Sequence, residues 1–272
     1  MPYANGPAAP MRRSEWDKRI QRAADLAERF PHAAEVLGFY GEVLGFQRGI
    51  YLDLSSRAVE SAAQKVTFRE RLDSSDALRY LPAVLSLAEV KGTAKLAEDA
   101  TVIRAASGEQ QREMLQKFLA DGPTAQPFFA RALLQPYAEW LAQSYVPPAV
   151  GAAHSTCPIC SARPQAGVLR PEGGGGKRFL LCSLCLTEWE FRRVLCPVCG
   201  ETDYQKLPRY SPETPEHVRV EACDACHFYL KSIDMTRDGL AVPLVDEVAT
   251  VPLDLWASEH GYKKLELNLM GF

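Results

Sequence analysis

The sequence predicts an α+β protein: an N-terminal all-α helical domain followed by two tandem small β modules of the rubredoxin-like or zinc-ribbon kind. Three observations predict it. Apolar residues recur at helical spacing from Ser14 to about Tyr145, with few β-branched runs among them. A proline-paired stretch, Val146-Pro-Pro-Ala-Val-Gly-Ala-Ala153, then stops that pattern. Beyond it lie all eight cysteines of the 272-residue chain, between Cys157 and Cys226, at about 11% of that window, a density typical of modules stapled by covalent bonds or metal. The expected divisions are 14–145 for a helical bundle, 146–156 for a linker, 157–194 for a first four-cysteine ribbon, and 195–272 for a second ribbon with a C-terminal tail.

The first helix is justified by Trp16, Ile20, Ala23, Ala27 and Phe30, which step by four and three onto one face. Ser14 with Asp17 reads as a capping box at its start. Further helices are expected over Ala33–Leu52, Ser56–Leu72, Ser75–Lys91, Thr93–Ala106, Glu109–Leu119 and Thr124–Tyr145. Gly92, Gly108 and Asp121-Gly122-Pro123 are among the breakers, and Pro82, Pro127 and Pro136 fall early in, or kink, their helices. After the linker, Arg178–Leu181, Val218–Glu221 and Phe228–Asp234 read as strands. Gly173 to Gly176 lacks the Gly-Lys-Ser/Thr and following helix of a phosphate loop, and reads as a hairpin tip.

Charge and apolar patterning exclude several functions. The formal net charge is -3, from 31 Lys+Arg and 34 Asp+Glu. Residues 151–240 balance at 11 basic and 11 acidic side chains, so the cysteine region lacks the basic footprint that phosphate backbones demand. Eight thiolates on two dications would take the net to -7, which further disfavours nucleic acid. No apolar run reaches membrane-spanning length; the longest, Leu81 to Val90, contains Pro82, Ser86 and Glu89. Met1 to Arg13 has no apolar core of a signal peptide. A cytoplasmic location without membrane insertion is therefore expected. Thiols stay reduced there, which argues against structural disulfides.

The cysteines form four knuckles: Cys157-Pro-Ile-Cys160, Cys182-Ser-Leu-Cys185, Cys196-Pro-Val-Cys199 and Cys223-Asp-Ala-Cys226. Two intervening residues let both sulfurs face one centre, and Gly200 can supply the positive φ that such a turn favours. A borderline-soft dication wants four thiolates in a tetrahedron, so two knuckles make one site. Knuckles one and two are separated by 21 residues, three and four by 23, and two and three by only 10. Hairpin-length spacing pairs Cys157/Cys160 with Cys182/Cys185, and Cys196/Cys199 with Cys223/Cys226. Cross-braced pairing is the alternative. Spacing leaves iron and zinc both open, and iron–sulfur clusters with them. A thioredoxin-type redox pair normally occurs once rather than four times. His154 and His227 lie beside knuckles whose sites are already filled by sulfur, and read as surface residues. Trp189 reads as packing between the two ribbons, or as an exposed partner anchor. No catalytic constellation is evident, so an enzyme is not expected.

These residues resemble the formate dehydrogenase accessory protein FdhE family. The resemblance rests on Leu181-Cys-Ser-Leu-Cys-Leu-Thr-Glu-Trp189, Arg193, Cys196-Pro-Val-Cys199, and Glu221-Ala-Cys-Asp-Ala-Cys226 with Tyr229-Leu-Lys231. Leu253-Asp-Leu255, Glu259-His-Gly261, Arg22-Ala-Ala-Asp-Leu-Ala27 and Phe39 to Gln47 extend it over nearly the whole chain. Where an Ala-Asp-Asp-Leu-Ala stretch is expected, this chain has Val245-Asp-Glu-Val-Ala249, retaining an acidic pair. The resemblance implies a cytoplasmic, non-enzymatic maturation factor whose partner is the catalytic, molybdopterin-containing subunit of formate dehydrogenase. It also implies a helical domain before two rubredoxin-like folds, and favours two iron ions over zinc. Iron at four thiolates can cycle between Fe(II) and Fe(III), which makes a redox role the second expectation. A nucleic-acid-binding zinc ribbon or a general protein-interaction module is the alternative function.

Overall fold

The computed structural model describes residues 13–57, 68–72, 74–121, 127–173 and 175–272. Its helices are α1 (Arg13–Arg29), α2 (Ala34–Ser55), α3 (Phe68–Arg71), α4 (Ser74–Ala77), α5 (Leu81–Lys91), α6 (Ala94–Ala105), α7 (Gly108–Asp121), α8 (Pro127–Ala142), α9 (Pro243–Ala249) and α10 (Val251–Glu259). Its strands are β1 (Pro164–Glu172), β2 (Gly175–Cys182), β3 (Glu188–Glu190), β4 (Arg209–Tyr210), β5 (Val218–Ala222), β6 (Phe228–Asp234) and β7 (Lys263–Lys264). The chain is α+β, helical before the linker and sheet-bearing after it. Two compact units result: one runs through Asp17 and resumes over Glu42–Pro147, and the other takes Lys18–Gly41 with Pro148–Phe272.

Among its described residues the first unit is helical. Its core is apolar side chains one or two turns apart: Val43, Leu44, Ile50 and Leu54 of α2, Val84, Leu85 and Ala88 of α5, Leu115 of α7, and Phe129, Leu133 and Leu134 of α8. Pro136 sits inside α8 without ending it. Proline cannot donate to the carbonyl four residues back, and that carbonyl, Ala132 O, instead accepts from buried Gln47 Nε2 at 3.2 Å. Thr93 caps α6, its side chain accepting from Leu96 N at 3.3 Å.

Several expected boundaries move. The continuous helix expected over Ser75–Lys91 is α4, a 3-10 turn at Leu78–Tyr80, and α5. Pro82 lacks an N–H and disfavours helix in the residue before it, so the chain restarts with proline in the first turn of α5. Of the helix expected over Ser56–Leu72, residues 58–67 lie outside those described, as do 122–126 at the start of the one expected at Thr124. In α1, Arg13 is already helical, so Ser14 is not the cap. Asp17 accepts from Arg48 at 2.5 Å instead of closing a capping box. Trp16, Ala23 and Phe30 are buried as the periodicity requires, but Leu26 is buried where Ala27 was expected.

In the second unit β1 and β2 form an antiparallel hairpin turning at Gly173, φ +57°. This is the expected glycine tip. The second module contributes β4, β5 and β6 as an antiparallel set. The modules are joined edge to edge, because β1 pairs in parallel with β6, Ala166 to Leu169 opposite Lys231 to Asp234. One sheet therefore runs β3-β2-β1-β6-β5-β4, with β7 also beside β6. Ala166, Val168 and Leu181 share a buried cluster with Val218, Ile233 and Ala241. Helices α9 and α10 cover this sheet; the family resemblance implies a last helix after Val245–Ala249, where α10 lies, whereas α9 was not expected, and Pro243 and Pro252 in their first turns are the signal that marks them.

The seam requires glycine at 167. A Cβ there would lie 2.1 Å from Ser232 Oγ and 3.2 Å from Leu230 Cδ1. Gly167→Ala is expected to cost about 1–3 kcal/mol of stability by overpacking, read as a lower urea midpoint. Adding Ser232→Ala, which deletes the colliding oxygen, should recover most of the loss.

Candidate metal centres

Each cysteine pair sits on a turn closed by its own backbone. Cys157 N donates to Ala162 O at 2.8 Å and Ser161 N to Cys157 O at 2.9 Å. Cys196 N donates to Glu201 O at 2.9 Å and Cys223 N to Phe228 O at 3.0 Å. The residue after each second cysteine takes positive φ: Ser161 (61°), Leu186 (58°), Gly200 (77°) and His227 (59°). Only Gly200 has that conformation at no steric cost; the others hold a sparsely populated backbone state because the turn demands it. The turns aim N–H groups at sulfur, with Leu184 N 3.3 Å and Cys185 N 3.4 Å from Cys182 Sγ, and Val198 N 3.4 Å from Cys196 Sγ. Such donors stabilise thiolate charge.

The knuckles pair one with two and three with four, as hairpin spacing predicts; cross-bracing is absent. Cys157, Cys160, Cys182 and Cys185 form one group, and Cys196, Cys199, Cys223 and Cys226 the other, with sulfurs in each within 4.8 Å of one another. Across the first, Cys157–Cys185 and Cys160–Cys182 sulfurs are 3.5 and 3.3 Å apart. Across the second, Cys196–Cys226 and Cys199–Cys223 sulfurs are both 3.7 Å apart. A tetrahedral ion with metal–sulfur bonds of about 2.3 Å sets sulfurs about 3.8 Å apart, whereas a disulfide needs about 2.05 Å. No disulfide joins any of the eight. Burial drives the Cys182 thiol well above its ordinary value, while hydrogen bonds from Cys160, Cys182 and Cys185 pull Cys157 down. Four thiols this close share protons unless a cation replaces them. The donor set and spacing fit one four-coordinate ion per centre; the eight cysteines could hold two.

The centres differ in access. All four cysteines of the first are buried, whereas Cys199 of the second is exposed and Cys226 half-buried. Trp189, at the far edge on β3, is buried and donates its indole N–H to His154 O at 2.7 Å. It therefore packs within the first module, neither between ribbons nor as an exposed anchor. His154 and His227 are exposed, as expected.

The acidic pair proves to be two anchors. Asp246 is buried and faces Arg22, whose Nη2 and Nε lie 2.6 and 3.0 Å from its oxygens; Arg22 Nη2 also reaches Asp238 at 2.7 Å. His217, buried, lies 2.7 Å from Asp246. His217, Asp238 and Asp246 are close enough to hold a cation, but the Arg22 guanidinium already fills that role. Glu247, one residue on, faces the opposite way. It takes buried Lys231 at 3.1 Å, Lys264 Nζ, and Asn268 Nδ2 at 2.7 Å. Asp254 completes this network, accepting from Lys231 at 2.6 Å and Tyr229 OH at 2.9 Å. Burial alone would raise the Glu247 carboxyl, but Lys231 and Lys264 outweigh it and hold it at about 2. None of these pairs is marked in the sequence, because their partners lie from 16 to more than 200 residues apart, beyond the reach of any local pattern.

Two tests follow from this geometry. In metal-loaded protein a chelator should withdraw the ions in two phases, the second centre first; Cys199→Ser should abolish the fast phase and Cys157→Ser the slow one. A single phase would count against unequal access. The second test concerns acid. A carboxyl held at about 2 against an unfolded 4.5 stabilises the fold above pH 4.5, and that contribution of ~3 kcal/mol fades as pH falls toward 2. Urea unfolding from pH 6 to pH 2.5 should show a smaller loss in Glu247→Gln, which starts less stable, than in the wild type; the remainder comes from other carboxylates held low, Glu221 among them.

Comparison with known proteins agrees with the site. The family model described as FdhE, central domain, matches residues 156–193, and that described as FdhE, C-terminal domain, matches 194–270. An FdhE homolog from Aquifex aeolicus is 27% identical over 274 residues, covering 96% of this chain and 97% of that one. One from Stutzerimonas stutzeri is 36% identical over 153 residues, covering 54% of this chain and 49% of its own. The crystal structure of the FdhE protein from Pseudomonas aeruginosa shares the fold, with a TM-score of 0.77 at 24% identity, over 96% of this chain and 97% of that one. With both cysteine modules matched in order and a relative aligned from end to end, the chain belongs to the FdhE family.

Proposed function

We propose that this chain is a cytoplasmic, non-catalytic accessory factor in the maturation of formate dehydrogenase, docking on its molybdopterin-containing catalytic subunit. In this reading each four-cysteine centre holds one iron ion, with zinc the alternative. The observation that carries it is the pair of four-sulfur centres, one sealed and one opening to solvent, in a chain of the FdhE family. Cys157, Cys160, Cys182 and Cys185 would hold the first ion, and Cys196, Cys199, Cys223 and Cys226 the second. Iron in such a set supplies one-electron exchange between Fe(II) and Fe(III), whereas zinc supplies a structural tie alone. The protein's own part is to hold the sulfurs, orient N–H donors at them, and keep water from the first set. The titratable groups of the second unit support a non-catalytic role, since Asp246, Glu247, Asp254 and Lys231 are spent on holding helices to the sheet. Among the described residues no helix is long and apolar enough to cross a membrane.

The test is co-purification with the formate dehydrogenase catalytic subunit. Anaerobically purified wild type should carry two irons, absorb in the visible, bleach with dithionite and retain the subunit. Cys196→Ser/Cys199→Ser should lose one ion and bind the subunit more weakly. Undiminished binding by that variant, with its ion gone, would remove the second centre from docking. A colourless, zinc-loaded protein with full maturation activity would sink the iron reading.

A further inference from the structure

Beside the second centre a solvent-open cleft is lined by Arg178, Arg193, Arg209 and Glu221, with Cys196 and Cys223 in its wall. We propose that this cleft is an oxyanion-binding site, taking a carboxylate or phosphate group on Arg193 and Arg209. It stands independently of the docking reading.

Glu221 is the cleft's single carboxylate, and its oxygens are already taken. Oε2 pairs with Arg178 at 2.8 Å, and Oε1 accepts from Arg219 Nη2 at 3.0 Å and Nε at 3.1 Å. Arg178 is further tied, donating to Arg192 O at 2.8 Å, and Arg219 has Asp234 3.7 Å away. Arg209 is left with Glu221 at 3.9 Å and a single backbone acceptor, Arg193 O, at 2.8 Å. Arg193 also lines the cleft, its Nη2 reaching toward Gly176, and no hydrogen-bond acceptor for its guanidinium is found among the described residues. Burial, and repulsion from Arg219, Arg178 and Arg193, together pull Arg209 below its ordinary value despite Glu221 beside it. Among the side chains that line the cleft, three arginines therefore face one carboxylate, beside the sulfurs of Cys196 and Cys223 and an apolar stretch that includes Leu195, Val198 and Leu230.

Guanidinium forks bind planar or tetrahedral oxyanions bidentately, and the apolar side chains beside them lower the local dielectric in which that pairing forms. A dication in the second centre would leave two negative charges on its sulfurs. That lowers the potential in the cleft, but gives the Arg193 fork no pair of oxygens to bind. Arg193 belongs to the string that carries the family resemblance, yet it contacts neither cysteine centre by any hydrogen bond among the described residues.

The experiment uses the full chain with its metal as purified. Inorganic phosphate and, separately, acetate are titrated at constant ionic strength, and the arginine Nε–Hε resonances are followed by NMR. The Arg193 and Arg209 signals should shift saturably. Tighter phosphate binding assigns the site to phosphate groups, and tighter acetate binding to carboxylates; either supports the proposal. Arg193→Gln/Arg209→Gln should weaken binding about tenfold or more, whereas Arg237→Gln, exposed and paired with Glu216, should leave it unchanged. Arg193→Gln alone serves if the double variant does not fold. No saturable shift with either anion overturns the proposal, as does equal binding by the variants. Faster metal loss in the variants with no anion binding in the wild type also overturns it, and assigns the arginines to counter-charge for the thiolates.

Discussion

The parallel pairing of β1 with β6 is the contact on which the rest of the second unit depends. It puts Gly167 against Ser232 with no room for a side chain between them. Through it two hairpins, each too small to bury a core alone, become one sheet with a shared apolar cluster drawn from both modules. Each module brings one knuckle pair at its strand ends, so the seam also sets the two centres on a common frame. Metal would then reinforce modules already joined by hydrogen bonds and burial rather than hold isolated ribbons.

Helices α9 and α10 are held on this sheet by charge as much as by apolar packing. Consecutive residues at one helical position face about 100° apart, so Asp246 and Glu247 reach separate networks. One takes Arg22 and His217; the other takes Lys231 and Lys264. Fully buried lysine is costly unless paired, and Lys231 is paired twice while also donating to Glu247 O and Thr250 O. Breaking one partner leaves an uncompensated charge, so these pairs specify where the helices dock. The family resemblance in Arg22, Lys231, Asp246, Glu247 and Asp254 thus reflects the scaffold, while the cysteines carry the chemistry.

The two centres, built from the same turn, differ in what they allow. Sealed sulfurs exchange ions slowly and see little solvent, which suits a structural tie. The exposed edge at Cys199 leaves the second centre open to water, to reagents and to a partner surface. The arginine-lined cleft lies beside that centre, with Arg178 and Arg193 contributed by the first module and Arg209 by the second.

Much of the design was legible in the residues. Helical periodicity, the double-proline linker and the four knuckles at hairpin spacing are local patterns, and local patterns are what turn geometry and side-chain period encode. They sufficed for the fold class and the glycine at 200, and favoured the adjacent pairing of knuckles that the structure shows. Pro136 and Leu26 show the limit within helices: whether a proline breaks α8, or which of two neighbours is buried, depends on what packs there, and Gln47 supplied the missing donor. Strand β1 was not anticipated because Pro164, Gly167 and Pro171 read as breakers; its position is earned by the β6 edge beside it. The sequence by itself determined which atoms can bind metal, and the structure chose adjacent over cross-braced sets. Only the tertiary structure decided that the modules share a sheet, that one centre is sealed and the other open, and that Arg178, Arg209 and Arg219 converge on Glu221. Those outcomes rest on contacts between residues far apart in the chain, whose burial and charge balance no local pattern records.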